Sequence, residues 1–281
     1  MIKLIFENYG MPILSGCFVL LFFLESQFSL RKRVASRWKR IQTNFIASIP
    51  SFVLLRYLLL PAMVWIAIKN QSWEAGLLPL FNAPVLLKFF IAFFLLDYSN
   101  YIWHILLHKL PLLWRFHIVH HSDLDLDLTT AFRFHFGEII GSLFYRSAAV
   151  LLIGASPTTV LIYEIVFEAA AQFHHSNTKL PFCLEKLLNL LIVTPRMHGI
   201  HHSSRREETD SNYSVIFSFW DRLHQTIRLN TPQDKIIIGV PFYRDEKELT
   251  VRKLLKLPFT SIPSWKENNK IDKGDKNKLQ Q

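Results

Sequence analysis

Twelve histidines occur in the chain, and eleven of them fall between His104 and His202. Eight sit in three groups: His104 and His108 in HILLH, His117, His120 and His121 in HIVHH, and His198, His201 and His202 in HGIHH. Residues three or four positions apart share one helix face, so each group can aim two or three imidazoles at one point from a rigid element. Further along the chain lie His135, in FRFHFGE, and His174 with His175, in FHHSN. One metal ion takes about four to six ligands, and eight or more imidazoles in an apolar chain therefore imply two ions. Taken singly, His135, His174 and His224 also suit ordinary core or surface positions. Imidazole binds iron, zinc, copper and nickel alike, so spacing leaves the metal open. The chain has no HExxH and no pair of ExxH helices, which speaks against a metalloprotease and against a soluble carboxylate di-iron bundle. A nearly all-nitrogen binuclear site favours redox chemistry over peptide hydrolysis. Cys17 and Cys183 lie far apart and offer neither a disulfide framework nor a cysteine zinc site.

The elements that position these groups belong in a membrane. Of the 281 residues, 50% are hydrophobic and only 19% charged, and 24 are Phe. That balance is unusual for a soluble protein, and the net charge of +10 reads as a topology or membrane-surface signal before a nucleic-acid one. The apolar start MIKLIFENYGMPILSG is expected to be retained rather than cleaved. Five stretches approach the length of a span: Met11 to Leu30, Ile41 to Lys69, Pro84 to Leu107, Ile139 to Ala155, and Thr158 to Phe173. The second carries Arg56 near its centre and is interrupted by Pro50 and Pro61, so a kinked or partly re-entrant path is expected. The last two form a helical hairpin around Gly154 to Pro157, with Arg146, Glu164 and Glu168 inside it. Between the first and second stretches RKRVASRWKR has six basic residues and no acidic one, which places that loop in the cytoplasm. If each stretch crosses once, every histidine group falls on that same side. The expected fold is an all-α, multi-pass membrane helical bundle of four to five spanning or re-entrant helices with a cytosolic-side, histidine-rich helical cap. It divides into membrane helices over 1–96, a catalytic region over 97–229 containing the hairpin 139–173, and a polar extension over 230–281 whose end, KENNKIDKGDKNKLQQ, has a disordered composition.

Around the histidines, the segments DYSNYIWHILLHKLPLLWRFHIVHHSD, TTAFRFHFGE, HHSNTKLP, TPRMHGIHHS, TDSNYS and FWDRL occur in an order that resembles the fatty acid hydroxylase and sterol desaturase superfamily of membrane di-iron oxygenases. The resemblance covers about Asp97 to Leu223. It implies ten metal ligands: His104, His108, His117, His120, His121, His135, His175, His198, His201 and His202. His174 stands where the family often has glutamine and is expected to be a neighbour of the ligands. After FWDRL the family commonly continues Phe-Gly-Thr, whereas this chain reads His224, Gln225, Thr226. Polar residues near the ligands are expected to orient them. Asp97 precedes His104 by seven residues, and Glu164 and Glu168 precede His175 by eleven and seven, so each shares a helix face with its histidine. Glu138, Arg133, Asn177, Asn212 and Asp221 are adjacent to the motifs and equally suit local capping or turn bonds. Asp123, Asp125 and Asp127 lack the Gly and terminal Glu of a calcium loop and are expected to form a solvated loop.

The resemblance implies two iron ions, O2 as co-substrate, and removal of hydrogen from an unactivated C–H bond of a membrane lipid, giving an alcohol or, with loss of a second hydrogen, an alkene. Zinc is an alternative occupant of purified protein. No flavin, NAD or haem-attachment motif is present, so a separate electron donor of reductase, ferredoxin or cytochrome type is expected, and no nucleic-acid partner. Two competing readings are a zinc-dependent membrane hydrolase and a transition-metal transporter. The transporter needs ligands at mid-membrane and on both sides, which gathering the histidines at one face does not provide. Sterol, fatty acyl, sphingoid and ether-lipid substrates all remain open. The compact chain suggests a bacterial plasma membrane with the site facing the cytoplasm, or the endoplasmic reticulum if the source is eukaryotic.

Overall fold

The computed structural model describes residues 6–263 and residue 265; the tail KENNKIDKGDKNKLQQ lies outside them. Helices dominate, and among the described residues β structure is confined to isolated bridges such as Ile192 with Phe217. Four helical stretches are long and apolar enough to cross a membrane: Asn8–Gln27, Arg37–Leu80, Val85–Lys109 and Phe136–Ile153. The protein is thus an all-α, multi-pass membrane bundle.

Helix α1 (Met11–Gln27) is apolar on nearly every side and buries only Leu21 and Glu25. In α2 (Arg37–Leu54) the usual amphipathic order is reversed. Arg40, Asn44, Ala47, Ser48 and Ser51 face the protein, whereas Phe45, Ile46, Ile49, Phe52 and Val53 are exposed. A helix surrounded by hydrocarbon gains nothing from hiding its apolar face and must turn its polar groups inward. A π turn over Leu55–Leu59 joins α2 directly to α3 (Leu60–Trp73). The expected kink is therefore a local widening of one long helix. Pro61 has no N–H to donate and its ring crowds the carbonyl four residues back, which the wider turn relieves.

After a turn at the far end, α4 (Val85–Lys109) runs back for 25 residues, about 37 Å at 1.5 Å per residue, against an apolar bilayer thickness of about 30 Å. Its buried residues gather in the C-terminal half, from Ala92 to His108. Next come α5 (Pro111–His121), α6 (Phe136–Ile153) and α7 (Pro157–His175). Helix α7 is too polar to count as a span on its own, because Glu164, Glu168 and Gln172 face its neighbours. It packs against α1, α3 and α4, and α6 packs against α2, α3 and α4. One core fills the space between them, with Met63, Ala67, Ala92, Leu96, Val150 and Tyr163 at its centre.

Five short helices complete the chain: α8 (Phe182–Leu188), α9 (Pro195–His201), α10 (Arg206–Thr209), α11 (Phe219–Leu223) and α12 (Val251–Lys256). The segment after residue 230, whose composition suggests a polar extension, contributes a second core. Val240, Leu249, Leu254 and Leu257 are buried against Ile118, Val119 and Leu124, and Gly239 N donates to His202 O at 2.9 Å.

The two far-end connections touch each other. Leu77 N donates to Leu152 O at 2.8 Å, and Gly76 and Gly154, both with positive φ, lie face to face. A Cβ on Gly76 would sit 2.4 Å from Gly154 N, with no flexible side chain to yield. Gly76→Ala is expected to lower the melting temperature in detergent through a loss of more than about 1 kcal/mol. Gly16→Ala, where a Cβ meets nothing within 4 Å, should leave it unchanged. Equal melting of both variants would show that this contact does not hold the far end together.

Candidate metal centre

Four segments bring their histidines together at the end opposite those loops. The last turns of α4 supply His104 and His108, α5 supplies His117, His120 and His121, the end of α7 supplies His175, and α9 with the residue after it supplies His198, His201 and His202. These imidazoles form two groups. His104, His108, His117, His121 and His201 make one, and His120, His175, His198 and His202 the other; within each, candidate donor atoms lie within 4.8 Å of one another. All nine are buried. The groups are contiguous, for the His121 and His202 rings stack at 4.4 Å.

Backbone carbonyls set the orientation of several rings. His104 Nδ1 donates to Tyr213 O, His201 Nδ1 to Ser211 O and His175 Nδ1 to Ala171 O, each at 2.7 Å. Each bond fixes the tautomer and leaves Nε2 as a lone pair aimed into the group. His117 Nδ1 meets Glu138 Oε2 at 3.1 Å. Nε2 atoms then approach one another: His117 to His104 at 3.3 Å, His175 to both His120 and His198 at 3.0 Å, and His198 to His202 at 3.1 Å. Two ligands at right angles on a metal with bonds of about 2.1 Å stand about 3.0 Å apart, which these separations match. Other ring nitrogens, including both of His108, His121 Nε2 and His201 Nε2, have no hydrogen-bond partner among the described residues. Orphaned buried nitrogens in that number are the mark of a site built for cations, so the donor set fits two metal ions.

Away from the membrane-spanning helices, burial pushes His120, His121, His198, His201 and His202 well below the ordinary histidine range, and neighbouring imidazoles add to this. They are neutral and ready to bind a metal. An unfolded chain takes up a proton on each as pH falls below about 6.5, whereas the folded metal-free protein resists it, so folding stability drops with falling pH. The slope is up to about 1.4 kcal/mol per pH unit for each histidine. Metal-free protein is therefore expected to melt at a lower temperature at pH 5 than at pH 7.5 in one detergent; an unchanged melting curve would contradict the burial of neutral rings.

The structure leaves His135 out of both groups. It caps α6, with Nδ1 accepting from Gly137 N and Nε2 donating to Leu255 O. His174 packs beside His175 and His198 while its Nδ1 donates to Val215 O. Asp97 touches no histidine; it accepts from Trp220 Nε1 at 2.8 Å and from Phe217 N. Glu164 pairs with Arg146, and Glu168 lines the cavity described below. Asn177 clasps the backbone N and O of Arg31. Asp221 accepts from Tyr213 N and Ser214 N, fixing the loop whose carbonyls hold His104 and His201. Asn212, in the same loop at φ 55°, binds Met197 O and Arg228 O. Tyr98 holds His224 away from the groups.

The expected solvated loop at Asp123, Asp125 and Asp127 is overturned. All three are buried, around Arg40. Arg40 donates to both oxygens of Asp123 at 2.7 Å and to Asp127 at 2.6 Å, and Arg133 reaches Asn44, Ser122 and Val119 O beside them. Against the upward push of burial, Arg40 and Arg133 hold the Asp123 carboxyl well below the usual carboxylate range. Glu25 and Arg31 were likewise not singled out by sequence. Glu25 accepts from Leu128 N, Asn177 N and Arg37, and Arg31 Nη1 lies where a Cβ on Gly199 would be.

A cavity of about 460 Å³ leads from the histidines to the outer surface between α1 and α2. Phe18, Val19, Phe45 and Phe52 line its outer part, and His104, His117, His120, His175 and His198 its inner end.

These features define a membrane helical protein with two contiguous buried histidine groups, each able to hold a metal ion, beside a largely apolar cavity. The sequence model of the family described as fatty acid hydroxylase matches residues 89–226, and the chain belongs to that family. It is 34% identical to alkylglycerol monooxygenase of Danio rerio over 152 residues, 53% of this chain and 32% of that protein. With human alkylglycerol monooxygenase it shares 30% over 204 residues, 69% and 42% of the two chains. Ornithine lipid hydroxylase OlsE of Rhizobium tropici is 29% identical over 150 residues, 53% and 44%. The chain thus spans less than half the length of these relatives. No solved structure matches it.

Proposed function

We propose that the protein is a lipid hydroxylase that holds two iron ions in its two imidazole groups and inserts one oxygen atom of O2 into an unactivated C–H bond. The observation that carries this reading is that histidines of both groups line an apolar cavity whose wall also includes Val19, Phe45 and Phe52, exposed on two helices long and apolar enough to span a membrane. The relatives named above are by description lipid hydroxylases and monooxygenases, which supports hydroxylation over desaturation. In the overall reaction the substrate C–H becomes C–OH, the second oxygen atom leaves as water, and a separate donor supplies two electrons with two protons.

A bound di-iron centre supplies the activation of O2 and the oxidising power for the C–H bond. His104, His108, His117, His121 and His201 would hold one ion, and His120, His175, His198 and His202 the other. Glu138 and the carbonyls of Ala171, Ser211 and Tyr213 fix the ring orientations. Apolar walls from Phe18 to Phe134 seat the chain and keep water from the reacting carbon. The basic segment 31–40 lies at the histidine end, since Arg31 joins Asn177 and Arg40 joins Asp123. By the positive-inside rule this supports a site facing the cytoplasm, with the bacterial plasma membrane as location and the endoplasmic reticulum as the eukaryotic counterpart.

Protein purified without oxygen is expected to contain about two irons per chain and to consume O2 when given reductant and a membrane lipid extract. His120→Ala and His201→Ala should each lose metal and turnover while still inserting in the membrane, and His224→Ala should keep both. Tightly bound zinc, with no O2 uptake after reconstitution with iron, would establish the zinc hydrolase instead. Glu138→Gln should weaken iron retention or turnover about 10- to 100-fold by freeing the His117 ring; wild-type values there would remove Glu138 from the site.

A further inference from the structure

The cavity also carries charged groups away from the histidines. Arg146 on α6 and Glu168 on α7 line it, with Glu164 one turn from Glu168. At about 1.5 Å per residue, Glu168 stands about 10 Å along α7 from His175, and Arg146 about 12 Å along α6 from Glu138, both toward the far end. Charged groups at such depth mark sites more often than scaffolding.

A structural ion pair would close on itself, and this cluster does not. Arg146 Nη2 donates to Glu164, and the guanidinium lies 4.9 Å from the centre of the Phe167 ring. Yet Arg146 Nε has no hydrogen-bond partner, although the residue is only 6% exposed. Gln172, 3% exposed and one turn nearer the histidines, lines the same cavity with its Oε1 unpartnered. No hydrogen bond to a described residue acts on Glu168, only the charges around it. The charges acting most on it are Glu164 and Arg146, and Arg56 lines the same cavity from the π turn. With Glu164 and Glu168 set against Arg146 and Arg56, the cavity has no excess of positive charge to hold an anionic headgroup, and at this depth an ammonium loses far more hydration than an alcohol.

We propose that Arg146, Glu168 and Gln172 bind a hydroxyl group of the lipid substrate. The hydroxyl donates to Glu168 and accepts from Arg146 Nε. Resting on the hydroxylase reading above, this anchor also selects the carbon that reaches the histidines, about 10 Å from the hydroxyl.

The test begins with full-length protein in detergent without added metal. Unlabelled 1-tetradecanol, its methyl ether, tetradecylammonium and tetradecanoate compete against radiolabelled 1-tetradecanol. The alcohol is expected to bind about tenfold or more tighter than the ether, which has no proton to donate, and tighter than either ion. Glu168→Ala should abolish the preference over the ether, and Glu168→Gln should reduce it while keeping the shape of the side chain; iron content and elution volume report folding of both. Equal binding of alcohol and ether, a preference that survives Glu168→Ala and Glu168→Gln, or tightest binding of the ammonium or the carboxylate would overturn the assignment. With iron and reductant supplied, Glu168→Ala should spread hydroxylation over several carbons of tetradecanol, and an unchanged product position would overturn the selecting role. An alcohol preference in wild-type protein that consumes no O2 sinks the hydroxylase reading and leaves the binding site standing. O2 consumption without that preference does the reverse.

Discussion

Nine buried imidazoles packed against one another dictate the design of this protein. Lone pairs that face one another at about 3 Å repel, and a buried nitrogen without a partner costs about 1–3 kcal/mol. Nothing in the local chain favours the cluster, so the surrounding structure must hold each ring against that repulsion until cations join them. Carbonyls of Ala171, Ser211 and Tyr213 take ring N–H groups, and each carbonyl is fixed in turn. Asp221 secures the loop that carries two of them.

The same demand explains the charge cluster at Arg40. Removing one partner of a buried ion pair typically costs about 3–5 kcal/mol, so a guanidinium enclosed by three carboxylates ties its neighbours together. Arg40 and Asn44 reach from α2, Asp123 to Asp127 continue from the second histidine group, and Arg133 precedes α6. Glu25 does the same for α1, the Leu128 turn and Asn177 beside α7. These segments are thereby locked in register around α5. In a bilayer this is the available means, because hydrocarbon supplies no hydrophobic drive to press helices together.

How much of this was legible in the sequence follows from the range of each interaction. The three histidine groups, the hairpin and the long apolar stretches rest on spacing within one helix, and they appear in the structure within a few residues of their expected bounds. His135 read as a ligand because it matches the Arg-x-His segment of the family that the chain resembles, but its two nitrogens are taken by Gly137 and Leu255, and the second lies 120 residues away. Asp97 shares a face with His104, yet Trp220 supplies a closer donor. Asp123, Asp125 and Asp127 read as a solvated loop because no Gly or terminal Glu follows at calcium-loop spacing, yet charge alternating with leucine also fits a strip buried on both sides when an arginine arrives from another helix. That arginine lay in a basic loop already explained by topology. One residue can satisfy both demands, and the positive-inside signal concealed the structural one.

Reversal of polarity in α2 links scaffold to site. Its inward polar face ends at Ser51, which donates to Phe134 O beside the stacked His120 ring, and its outward phenylalanines border the cavity mouth. One helix therefore serves as wall toward lipid and as frame for the histidines. The π turn after it keeps the helix continuous past Pro61, so α3 reaches the far-end core while α2 stays in register with Asp123. A straight apolar helix could span the bilayer equally well but would carry no Arg40, Asn44 or Ser51 to the histidine end. The polar residues that this segment carries on its inward face are the ones that make it part of the site.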